Sequence, residues 1–60
     1  MKENQFKKFE PLHNSAKLKI QELIIREGKI INDTKTFVEI QRLNSIAKVD
    51  QWGRVEWRSI

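Results

Sequence analysis

Between Ala47 and Arg58 apolar and charged residues alternate with a period of two, interrupted once by Asp50-Gln51-Trp52-Gly53. The interruption has the chemistry of a tight turn. Asp at the first turn position accepts from backbone N–H groups, and Gly at the fourth takes a left-handed conformation at no steric cost. A three-residue loop ending in a bulge sets Asp50 opposite Arg54, and outward from there Val49 meets Val55, Lys48 meets Glu56 and Ala47 meets Trp57. Apolar pairs then fall on one face and opposite charges on the other. A two-residue loop would mix the faces, so the pattern itself selects the register.

The preceding segments follow two other patterns. Ala16, Ile20, Leu23 and Ile24 recur at helical spacing, with Asn14 or Ser15 as N-terminal cap and Gly28 as the left-handed terminator, which predicts a helix over about residues 15–28. Leu18 and Ile25, seven residues apart, share nearly the opposite side of that helix. Cover from Phe6 and Phe9 would make this second patch structural, and an uncovered patch would make it a partner or dimer interface. Ile30 and Ile31 lead into Asn32-Asp33, which reads as a turn. From Thr34 to Leu43 the β-branched and aromatic cluster favours a strand. A turn at Asn44-Ser45 sets Ile40 opposite Val49 and leaves Glu39 facing Asp50 and Arg42 facing Ala47. The rival is a second helix over about 37–52, seeded by a capping box at Thr36 to Glu39, which would abolish the hairpin.

The expected fold is therefore α+β, one N-terminal amphipathic helix packed on a three-stranded antiparallel β-meander. The rival architecture is a two-helix hairpin with a short C-terminal tail. The helix stripe is expected on Val38, Ile40, Ala47, Val49, Val55 and Trp57. The other face, with Glu39, Gln41, Lys48, Asp50, Arg54, Glu56 and Arg58, is expected to be wet and nearly neutral, with Phe37, Leu43 and Ile46 as residual apolar groups. Residues 1–12, with Lys7-Lys8, Phe6, Phe9 and Pro11, read as a basic and aromatic arm preceding a single domain over 13–60. The phenylalanines either cover the domain or dock elsewhere.

Composition narrows the field. Sixty residues without cysteine and with one histidine leave neither a disulfide nor a structural zinc site to support a small core, which favours oligomerisation or a partner as an added source of stability. No apolar run approaches the length of a membrane span, so the chain reads as soluble, cytoplasmic and unexported. The net charge of +4 is concentrated in the first half, where residues 1–29 hold seven basic and four acidic groups against five and four in 30–60. A basic balance suits phosphate neutralisation.

Candidate chemistry is sparse. His13 stands in a loop, and Ser15, Ser45 and Ser59 are scattered, so no nucleophile, base and orienting group fall into a catalytic pattern. No metal-ligand spacing or phosphate-cradling glycine loop is present, and no cofactor is implied. The expectation is a non-enzymatic protein. The first reading is a nucleic-acid-binding regulator, with Lys7, Lys8, Lys17, Lys19, Arg54 and Arg58 on phosphates and Trp52 stacking on a base. The second is a protein-interaction module, an inhibitor or adaptor and possibly a homo-oligomer, acting through Phe6, Phe9, Leu18, Ile25 and Trp52. Trp52 folds back beside Trp57 in the structural alternative.

Overall fold

A computed structural model describes residues 6–60. Helix α1 spans Asn14–Ile25 and is capped by His13, whose Nδ1 accepts from the Ser15 N–H at 3.1 Å. The cap thus lies one residue before Asn14, and the imidazole supplies the acceptor that Asn14 or Ser15 was expected to give. Ala16, Ile20 and Leu23 are buried along one side, as their spacing predicts.

The end of α1 departs from expectation in an informative way. Glu27, not Gly28, takes the left-handed conformation, at φ 70°. The Gly28 N–H donates to the Leu23 carbonyl at 2.9 Å and the Glu27 N–H to Ile24 at 3.0 Å, the paired bonds of a Schellman ending. Gly28 is needed for closeness instead. A Cβ there would lie 2.5 Å from the Leu23 carbonyl oxygen and 2.6 Å from Ile40 Cγ2.

The sheet has four antiparallel strands in sequential order, not three: β1 over Lys29–Asp33, β2 over Phe37–Arg42, β3 over Ser45–Asp50 and β4 over Val55–Ser59. Strand β1 was expected to dissolve into a turn at Asn32-Asp33. It pairs instead, with Ile30 opposite Ile40 and Asp33 opposite Val38, and a bulge at Ile31 separates the two halves. The turn falls later, where Thr34 Oγ1 both donates to the Phe37 carbonyl and accepts its N–H. Residues 37–42 and 45–50 are strands, so the two-helix rival does not hold.

The β2–β3 register is two residues from the expected one. Val38 faces Val49, Glu39 faces Lys48 and Ile40 faces Ala47, joined by a tight Leu43-Asn44 loop with Leu43 at φ 57°. A shift of two preserves every face, and it replaces the repulsive Glu39–Asp50 pair with an attractive one. The β3–β4 hairpin has the predicted register throughout. Asp50 Oδ1 accepts from the N–H groups of Trp52 and Arg54, and Gly53 stands at φ 91°.

Phe9, Ala16, Ile20, Leu23, Val38, Ile40, Ala47 and Val49 form the core, with Phe6, Ile24, Ile30 and Val55 partly buried against it. Helix α1 lies over β2 and β3. Trp57, on the helix side of β4, is consequently left 51% exposed and does not join the core as expected.

The described part of the arm is part of this structure. Phe9 is 4% exposed, and the Phe6 ring meets it edge-on at 5.2 Å. The Asp33 carboxylate accepts three successive backbone N–H groups, from Lys7 and Lys8 at Oδ2 and from Phe9 at Oδ1. Farther along, the Leu12 and His13 N–H groups donate to the Gln51 carbonyl, and Gln51 Nε2 donates to Glu10. Residues 1–5 of the arm lie outside the described residues.

Candidate interaction surface

The open face of the sheet is knitted together by its own side chains. Glu39, at its centre and buried, accepts from Arg58 Nη1 at 2.7 Å and from Asn32 Nδ2 at 3.2 Å. The Arg58 hydrogen bond, aided by Asn32, holds the Glu39 carboxyl below the usual range despite burial. Lys48 lies over the Phe37 ring with Nζ 4.5 Å from its centre. Arg58 and Lys48 therefore already have partners within the fold.

The other basic residues predicted to contact phosphates do not converge. Lys7 and Lys8 are exposed side chains whose backbone is committed to Asp33. Lys17 and Lys19 stand two apart on α1 and so diverge around it, and Lys19 reaches Glu22 at 3.7 Å. Arg54 is exposed beside the hairpin tip, where Lys48, Asp50, Val55 and Glu56 share a shallow concavity with it. Basic and acidic groups alternate around this hollow.

Apolar exposure is less even. Of the residues predicted for a partner interface, Phe9 is consumed by the core and Phe6 is half-buried against it. Trp52 is 58% exposed at the hairpin tip, not folded back beside Trp57. Leu18 and Ile25 are both exposed, so Phe6 and Phe9 do not cover their side of the helix. Ile25 and Leu43, at 81% and 78%, are the most exposed large apolar side chains among the described residues.

These last two share one site. Ile25, Arg26, Glu27, Arg42 and Leu43 line a shallow concavity of about 370 Å³ between the end of α1 and the β2–β3 loop. Arg42 Nε donates to the Arg26 carbonyl at 3.0 Å, tying the loop strand to the helix end. Both non-glycine residues with positive φ among the described residues, Glu27 and Leu43, lie on its rim. Exposed Ile60 is held nearby by its N–H bond to the Asn44 carbonyl. Leu43 was legible only as a residual apolar group, and the clustering of left-handed residues has no sequence signature here because neither is Gly or Asn.

Among the described residues no three His, Cys, Asp or Glu side chains gather as metal ligands, and no helix is long and apolar enough to cross a membrane. Comparison with protein-family models, curated proteins and solved structures finds no match.

Proposed function

We propose that the protein is a non-enzymatic interaction module that docks a polypeptide on the concavity between the end of α1 and the β2–β3 loop. The observation that carries this reading is the gathering of Ile25 and Leu43 there, with Leu18 continuing the apolar surface along the helix. Neither residue contributes to the core, and Leu43 holds its position at a backbone cost of roughly 1 kcal/mol. The rim arginines Arg26 and Arg42 favour a partner segment that sets an acidic residue beside its apolar ones. Dispersal and internal pairing of the basic groups rank nucleic-acid binding behind this reading.

The test uses two variants that separate docking from folding. Proximity crosslinking in the source cell identifies candidate partners, which are purified and titrated against the protein. Leu43→Gly relieves the left-handed strain while removing the apolar side chain, so thermal stability should rise as affinity falls at least tenfold. Ile25→Gln should weaken binding similarly with little change in stability. Partners that bind both variants as tightly as the parent overturn the docking site. A steeply salt-dependent anisotropy change with generic DNA or RNA would instead support phosphate contacts by the dispersed lysines.

A further inference from the structure

The two edges of the sheet are treated differently. On β1 the bulge at Ile31 bends the strand, and the arm crosses its far end through Asp33 and the Glu10–Lys35 backbone bond. Strand β4 has no bulge, pairs with β3 without interruption, and among the described residues nothing pairs with its outer side. A regular open edge is a template for another strand.

The hydrogen-bond parity of that edge is determined. Asp50 donates to the Arg54 carbonyl and Ile60 to the Asn44 carbonyl, so the even-numbered residues of this strand direct their backbone groups toward β3. Val55, Trp57 and Ser59 therefore direct theirs outward. A second strand must pair with these odd positions. If the second strand is another β4, running antiparallel, the choice of register is small and the charges decide it.

Pairing Val55 with the second copy's Trp57 sets Glu56 against Glu56, and pairing Trp57 with its Ser59 sets Arg58 against Arg58. Both are repulsive. Pairing Trp57 with Trp57 sets Glu56 against Arg58 and Arg58 against Glu56 at the closely spaced, non-hydrogen-bonded positions. Pairing Val55 with Val55 also keeps the parity and sets Arg54 against Glu56, but it places the turn residue Gly53 opposite Trp57 and leaves Arg58 and Ser59 unpaired; the register centred on Trp57 alone meets parity and charge while pairing all of Val55–Ser59.

We propose that the protein forms a two-fold homodimer by antiparallel pairing of β4 with β4 of a second copy, centred on Trp57. The product is a continuous eight-stranded sheet. Because paired residues share a face, both helices lie on the same side, and the two Trp57 rings fill the gap that each helix leaves over its own β4. Arg58 keeps its bond to Glu39 through Nη1 and has further donors for the facing carboxylate. The dimer does not depend on the docking site proposed above, because Ile25 and Leu43 stay clear of the shared edge.

Sedimentation velocity across a concentration series tests this with complementary charge variants. The parent should sediment as a dimer. Glu56→Lys should weaken self-association at least tenfold by setting Lys against Arg58, and Arg58→Glu should do so by setting Glu against Glu56. Mixed together, the two variants restore both ion pairs and should form a heterodimer. A monomeric parent, or a dimer that neither substitution weakens, overturns the proposal. Circular dichroism checks folding of both variants, because Arg58→Glu also removes the partner of Glu39 and Glu56→Lys also sets a lysine opposite Lys48 within the hairpin. If Arg58→Glu fails to fold, Glu56→Lys alone decides: less than a tenfold loss overturns the β4 interface, and a larger loss that high salt partly restores supports it.

Discussion

Exchanging the roles of two adjacent residues at the end of α1 should change stability in opposite directions. Glu27 holds φ 70°, which costs an L-residue roughly 1–2 kcal/mol, whereas glycine there loses only about 0.5–1 kcal/mol of extra backbone entropy. Glu27→Gly should therefore stabilise by about 1 kcal/mol, a rise in Tm of about 4–8 °C for a domain this size. Gly28→Ala meets the opposite situation. Its Cβ would press on the Leu23 carbonyl oxygen at 2.5 Å and on Ile40 Cγ2 at 2.6 Å. The first is the acceptor of the Gly28 N–H itself and the second belongs to a fully buried side chain, so relief on one side breaks a bond and on the other disturbs the core. The cost should be about 2–3 kcal/mol. Against a total stability of about 3–9 kcal/mol for 60 residues, that is a large fraction. Urea unfolding followed by circular dichroism measures both variants. A neutral Glu27→Gly together with a tolerated Gly28→Ala would refute the reasoning, because that pattern belongs to a helix ended by a left-handed Gly28.

Phe9→Ala should cost about 3–5 kcal/mol and leave the domain largely unfolded at 37 °C, measured by thermal melting; a small loss would mean the arm is separable from the core. Acidification should destabilise the protein through Asp33. Partial burial raises its pKa, but the N–H groups of Lys7, Lys8 and Phe9 outweigh that and leave it below the ordinary 3.8. The resulting stabilisation is present above pH 3.8 and lost as pH falls through the lowered value, so Asp33→Asn should flatten the acid limb of a stability–pH curve. Gly53→Val should destabilise by about 3 kcal/mol or more, because φ is 91° and a Cβ would meet Ser15 Cβ at 2.6 Å; an unchanged Tm would contradict the hairpin geometry.

The parts of the fold that were legible are those encoded by parity. Alternation from Ala47 to Trp57 specifies which residues share a face, and the charges of Lys48 and Glu56 then select one β3–β4 register. Between β2 and β3 parity also held, but a shift of two residues leaves the faces unchanged, so the register depended on the loop. The decisive element was Leu43 in a left-handed conformation, which no propensity favours. Strand β1 was hidden for a related reason. The bulge at Ile31 breaks the alternation, and Asn32 and Asp33 have turn chemistry while acting elsewhere, Asn32 on Glu39 and Asp33 on the arm. The exposed side of α1 was visible from Leu18 and Ile25 alone, whereas its meeting with Leu43 required the tertiary fold.

The arm explains why apolar groups can remain outside. A chain this short, without disulfides, must enlarge its core from any segment that reaches it. Phe9 supplies a large buried ring from outside the helix and sheet, and Asp33 supports that placement by accepting the partly buried Phe9 N–H. The buried set is then complete without Ile25, Leu43, Trp52 or Trp57. Substitutions at Ile25 and Leu43 therefore remove little buried area, whereas Trp52 and Trp57 each have about half their surface covered and call for a folding check beside the binding measurement. The effect of the first two on association can be measured on a protein that still folds, which is the condition an interaction surface must meet to be distinguished from a core.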